Sequence, residues 1–82
     1  MVKTQAEYDA MSKLELFDVV PPMSDWLHEN GHTYRAAFLT NTKQPRKEDY
    51  PVTVMYFDIA DNEYFSKPIA EFLAKRVRVV TA

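Results

Sequence analysis

His28-Glu29-Asn30-Gly31-His32 is the stretch on which the reading of this chain turns, because it holds both histidines and the single glycine. The string spells H-E-x-x-H, the pattern in which two imidazoles one helical turn apart bind zinc while the glutamate activates a water. That chemistry needs an unbroken helix through His32. Asn-Gly is a strong helix-ending pair, and a catalytic zinc also needs a third protein ligand. With no further histidine, that ligand would be a distant carboxylate such as Glu63 or Glu71. The reading adopted is a short helix over residues 25–30, capped by Ser24 and closed at Gly31, with Trp26 and Leu27 turned inward. On this reading the chain carries no metal or other cofactor. His28 and His32 remain the metal-ligating candidates only of the alternative, a minimal zinc metallopeptidase.

Upstream, Thr4 followed by Glu7 reads as a capping box, and Ala6, Ala10, Met11, Leu14 and Phe17 recur at helical spacing, so a first helix is expected over residues 5–17. Pro21-Pro22 ends any continuation. Downstream, residues 33–42 alternate as a strand, with Tyr34, Ala36 and Phe38 on one face and Arg35, Ala37 and Leu39 on the other. A polar loop follows over 42–50. Residues 52–59 form the most apolar strand, expected to be central and covered on both sides. Asp61-Asn62 suits a tight hairpin into a strand at 63–65. Ser66 then caps a third helix with Pro68 in its first turn and Ile69, Phe72 and Leu73 as its buried stripe, and a last strand covers 77–80.

Eighty-two residues, 46% of them hydrophobic and 27% charged, provide for one domain with one core. Ten Lys and Arg against twelve Asp and Glu leave a formal charge of −2, which gives no general attraction to phosphate backbones. There is no cysteine, so disulfides and thiolate chemistry are excluded and a cytoplasmic location is expected. No apolar run reaches membrane-spanning length.

Three groups of side chains are candidates for recognition. Lys43, Arg46 and Lys47 form a basic cluster in the 42–50 loop, with Glu48 and Asp49 beside it. Lys75, Arg76 and Arg78 form a second cluster, one helical turn after Glu71, and solvated salt-bridge surface is the expected role of both. Asp58, Asp61 and Glu63 make an acidic string around the hairpin. Tyr50 and Tyr64 add flat apolar area suited to an interface, as do Trp26 and Tyr56 wherever they are exposed. No Ser-His-Asp set or phosphate-binding glycine loop is present.

Phe65, Lys67, Pro68, Ile69 and Phe72 follow an aromatic-x-basic-Pro-aliphatic-x-x-Phe pattern ahead of the last strand. Over residues 34–80 the chain resembles small SH3-like bacterial domains that end in this motif. Those domains usually carry Trp and Arg where Phe65 and Lys67 stand, and the helical N-terminus has no counterpart in them. The resemblance implies a partial barrel and a compact binding module without assigned activity.

The expectation is therefore an α+β domain. A small, bent antiparallel sheet, SH3-like in the resemblance, packs against N-terminal helices, with a short helix before the last strand. Its expected function is to bind and modulate a macromolecular partner, a protein in the first instance, as accessory proteins of bacteria or phages do, acting as monomer or homodimer. The binding surface is expected from Lys43, Arg46, Lys47, Tyr50, Asp58, Asp61, Glu63 and Tyr64. The alternatives are a nucleic-acid module using the loop cations and the zinc peptidase.

Overall fold

A computed structural model describes residues 3–47 and 49–80. Its deciding segment is extended: β1 (Ser24–His28) and β2 (Thr33–Thr40) pair antiparallel, with Trp26 opposite Tyr34 and Leu27 opposite Thr33. Ser24 and Trp26 point into the core and Asp25 and Leu27 away from it, the period of two that a strand imposes. The Gly31 N–H donates to the His28 carbonyl at 2.9 Å, and the His28 N–H to the His32 carbonyl at 2.9 Å. Gly31 itself has φ of 90°. This is a three-residue hairpin loop ended by a left-handed glycine. The helix expected over 25–30 is therefore a strand and a turn. Ser24 caps nothing; its hydroxyl donates to the Pro21 carbonyl at 2.6 Å and accepts the indole N–H of Trp26 at 2.8 Å.

Two short helices, α1 (Gln5–Asp9) and α2 (Lys13–Val19), precede the sheet. The single helix expected over 5–17 is broken because Ser12 and Glu15 form a second capping box that restarts the chain after Ala10. After β2 come β3 (Thr53–Asp58), β4 (Tyr64–Pro68), α3 (Ile69–Ala74) and β5 (Arg76–Val79). The strand order is β4-β3-β2-β1-β5, antiparallel throughout. The expected α+β architecture is thus present, with a short helix carrying the chain to the last strand. The sheet does not close into a barrel: β4 and β5 remain its edges.

Ser66 lies within β4 and does not cap α3, whose N-cap position is Pro68 with no side-chain bond. The first N–H groups of α3 are satisfied from elsewhere, Ile69 by the Val52 carbonyl at 3.0 Å and Ala70 by the Gln5 side chain at 3.0 Å. Gln5 also donates to the Val52 carbonyl, and the Asp9 carboxylate accepts the Val52 N–H at 2.9 Å. α1 is thereby latched to both sheet and helix by polar groups that would otherwise be buried unpaired.

Tyr8, Leu16 and Val20 from the N-terminal segment meet Trp26, Tyr34, Val54 and Tyr56 of the sheet, with Ile69 and Phe72 of α3 closing the core. Each of the largest side chains here contributes about 1.5–3 kcal/mol by leaving water. All of these groups lie on one face of the sheet. β3 buries Val54, Tyr56 and Asp58 but leaves Thr53, Met55 and Phe57 only half-buried, so it is not covered on both sides as expected. In β2 the register shifts between Ala36 and Phe38. This bulge reverses the expected alternation: Phe38 turns outward, 52% exposed, and Leu39 packs against the core. No helix among the described residues is long and apolar enough to cross a membrane.

Candidate functional site

The hairpin that carries the two histidines holds them by different partners. The Nδ1 of His28 accepts the Asn30 N–H at 2.9 Å, so in the neutral ring the proton sits on Nε2 and that nitrogen is a donor. The Nδ1–H of His32 donates to Asp58 Oδ2 at 2.7 Å. Tyr34 packs against both rings, edge-on to His28 at 6.0 Å and stacked with His32 at 6.3 Å. A strand and a turn do not give the two imidazoles the shared helical face that a zinc site requires, which corrects the capped-helix reading of these residues. Among the described residues no group of three or more His, Cys, Asp or Glu is arranged to hold a metal.

Asp58 is 5% exposed, because β3 turns it to the inner face, where it also accepts the Ala60 N–H at 2.9 Å. The expected acidic surface string is therefore reduced to Asp61 and Glu63, both exposed at the β3–β4 turn. The hydrogen bond to Asp58 raises the His32 imidazole above its ordinary range, with the charges of Asp58 and Asp61 acting in the same sense. Reciprocally, the His32 bond and the Ala60 N–H hold the Asp58 carboxyl below the usual range. Asp58 thus orients an imidazole over a shallow cleft that Thr33, Ile59 and Ala60 complete. The cleft lining includes no serine or cysteine to serve as a nucleophile.

The loop cluster is divided by function. Arg46 is a brace: its guanidinium donates to the carbonyls of Asp9 at 2.8 Å, Met11, and Thr42 at 2.7 Å, tying the loop to the end of α1. Lys43, Lys47 and Tyr50 are exposed beside it, and Glu48 lies outside the described residues.

Arg76 is not the surface cation its neighbours in sequence suggest. It pairs with His28 across β5 and β1 on the inner face and is only 8% exposed. Its guanidinium lies 5.0 Å from the ring of Tyr34, 4.8 Å from Tyr56 and 4.7 Å from Phe72. It donates to the Phe72 carbonyl at 3.1 Å and the Tyr56 hydroxyl at 3.2 Å, while its buried Nε–H finds no acceptor. Burial pushes the Tyr56 hydroxyl up, against the opposing charge of Arg76. Among the described residues the only ion pairs within 4 Å are His32–Asp58 and Arg35–Asp25. Arg76 therefore has no carboxylate counterpart, and ring faces and two oxygen acceptors are what offset its desolvation.

Among the described residues no helix packs on the opposite face of the sheet. Its centre is the Arg35–Asp25 pair, bonded twice at 2.7 and 3.2 Å, with Arg35 holding the Asp25 carboxyl below its usual range. Beside it, Phe38 faces Met55 across β2 and β3, and Phe57 faces Tyr64 across β3 and β4 with ring centroids 5.1 Å apart. Tyr64 is 63% exposed. On the other side of the ion pair, Leu27 lies opposite Val77. Of the residues expected to form a binding surface, only Tyr64 belongs to this face; Lys43, Lys47 and Tyr50 sit in the loop at one end of β3, and Asp61 and Glu63 in the turn at the other. Phe38 and Phe57 escaped sequence reasoning, since the outward turn of Phe38 depends on a bulge that no residue pattern announces. The chain matches no protein-family model, no curated protein and no solved structure.

Proposed function

We propose that this protein is a small non-enzymatic binding module that modulates a protein partner, of the accessory kind found in bacteria and their phages, and that it docks through the Phe38, Met55, Phe57 and Tyr64 strip. The observation carrying this reading is that a sheet face with two aromatic rings in tilted contact and an exposed phenylalanine is covered by no helix among the described residues. Contiguous apolar surface of this kind on a small domain marks a contact site, and aromatic anchors dominate binding energy. The exposed loop and turn residues, Lys43, Lys47, Tyr50, Asp61 and Glu63, supply a polar rim at the two ends of β3. Arg46 is engaged by backbone carbonyls, which weighs against a nucleic-acid module built on the loop cations. The hairpin conformation of the H-E-x-x-H string weighs equally against a peptidase. The lack of cysteine accords with a cytoplasmic setting.

The test is a pair of exposed-site variants, Phe38→Glu and Tyr64→Glu, measured against a partner isolated by affinity capture and then purified. Each variant is expected to fold and to weaken binding by at least about 100-fold, or about 2.7 kcal/mol. A partner that binds both variants undiminished refutes the assignment of this face.

A further inference from the structure

We propose that the depression around Arg76, on the inner side of the sheet, binds a phosphomonoester. This site is separate from the outer aromatic strip and does not depend on it. Arg76, a permanent cation more than nine-tenths buried, lines it. Of its five N–H hydrogens, the Nη groups place one each on the Phe72 carbonyl and the Tyr56 hydroxyl, and the Nε–H is unpaired. A plain structural role, with the Phe72 carbonyl, the Tyr56 hydroxyl and three ring faces around the guanidinium, accounts for both bonds but supplies no carboxylate within 4 Å among the described residues.

What surrounds Arg76 points to that anion. His28, Lys67, Glu71 and Lys75 line the same depression, whose volume is about 370 Å³. Neither lysine makes an ion pair within 4 Å among the described residues. Three cations against the carboxylate of Glu71 leave a formal excess of about two positive charges in this depression, and Glu29 in an adjoining one lowers it to about one, a net positive field that favours the dianionic phosphomonoester over a monoanionic carboxylate. His28 adds a donor, because its Nδ1 accepts the Asn30 N–H and its Nε2 then carries the hydrogen. The adjoining depression, at the β1–β5 edge, shares His28, Lys75 and Arg76 and is lined further by Glu29, by Leu73, and by Leu27 and Val77 from the outward side of the two strands. It offers apolar surface to the organic part of the ligand, so an ester is favoured over free phosphate.

The experiment is an NMR titration of the full chain, following backbone amides and the Arg76 Nε–H, with inorganic phosphate, phenyl phosphate and a short phosphoserine peptide as probes. Phenyl phosphate is expected to shift the signals of His28, Lys75, Arg76 and Val77 in a saturable way, at least about tenfold more tightly than inorganic phosphate. The variant Lys67→Ala/Lys75→Ala changes only exposed residues, keeps the Arg76 core intact, and is expected to weaken binding at least about tenfold. A peptide that binds as tightly as phenyl phosphate assigns the phosphate to a modified protein side chain; a weaker one assigns it to a free small molecule. Absence of saturable shifts up to about 10 mM phenyl phosphate, shifts located elsewhere, or undiminished binding by the double variant overturns the proposal.

Discussion

Gly31→Ala separates the hairpin from a zinc helix by the sign of one free-energy change. In a helix interior, replacing Gly with Ala stabilises by about 1 kcal/mol. In the hairpin, Gly31 has φ of 90°, and a methyl group added there meets no atom within 4 Å. The cost is then torsional alone, about 1–2 kcal/mol for an L-residue held in the left-handed region, partly offset by about 0.4–1 kcal/mol from the stiffer unfolded chain. A net loss of about 1 kcal/mol follows. For a domain of this size that lowers Tm by about 4–8 °C, or the urea midpoint by about 1 M where m is about 1 kcal/mol/M. Trp26, the single tryptophan, sits in the core one strand turn away and reports the transition by fluorescence. Gly31→Asn provides the control, since Asn tolerates the left-handed region and the loss is smaller. A Gly31→Ala protein that melts at or above the parent temperature refutes the hairpin geometry.

Arg76→Met keeps the packing of the stem and removes a buried charge without a carboxylate, so relieved desolvation offsets the lost ring and carbonyl contacts. Its stability is expected within about 1.5 kcal/mol of the parent, whereas Arg76→Ala opens a cavity and costs about 2–5 kcal/mol, both read by calorimetric melting. The His32–Asp58 pair gives a pH signature of definite sign. The raised imidazole contributes stability that is complete below its unfolded value near 6.5 and is lost as pH rises through the higher folded value. The lowered carboxyl contributes stability present above its unfolded value near 3.9 and lost as pH falls through the lower folded one. Tm is thus supported most between about pH 4 and 6.5, and His32→Ala should flatten that region of the profile; an unchanged profile contradicts the pairing. Ser12→Ala removes one half of the second capping box and is expected to cost about 1 kcal/mol in urea unfolding, as Thr4→Ala does at the first.

Much of the sheet was legible because its strands announce themselves locally. Residues 33–40 and 53–58 alternate or run apolar with β-branched and aromatic side chains, and Asp61-Asn62 marks the turn between β3 and β4, where Asn62 takes a positive φ of 61°. The failure at 24–28 has an equally specific origin. Ser-Asp before an apolar pair imitates a helix start, and Asn-Gly ends helices as readily as it turns hairpins. What distinguishes the two is periodicity over only five residues, Ser24, Trp26 and His28 against Asp25 and Leu27, too short a run to outweigh the cap signal. In α1 and α2 the reverse held: the Ser12-x-x-Glu15 box was readable, but a continuous apolar stripe through Met11 and Leu14 masked it.

That one misassignment also explains why Arg76 could not be recognised as an interior residue. Lys75-Arg76-Val77-Arg78 looks like a solvated basic string as long as nothing fixes which side of β5 faces inward. The parity is set by pairing with β1: Trp26 opposite Arg78 and His28 opposite Arg76 turn both arginines to the inner side, and the aromatic rings of Tyr34, Tyr56 and Phe72 then receive the deeper one. With β1 read as a helix, β5 has no partner and no parity, and a buried cation cannot be told from an exposed one. The same pairing sends Val77 outward to join Leu27, so a single register decision determines both which face carries unneutralised charge and which carries uncovered apolar surface. The residues of the two proposed recognition surfaces are therefore those whose placement depends on contacts distant in sequence, whereas the local signals describe mainly the frame of the domain.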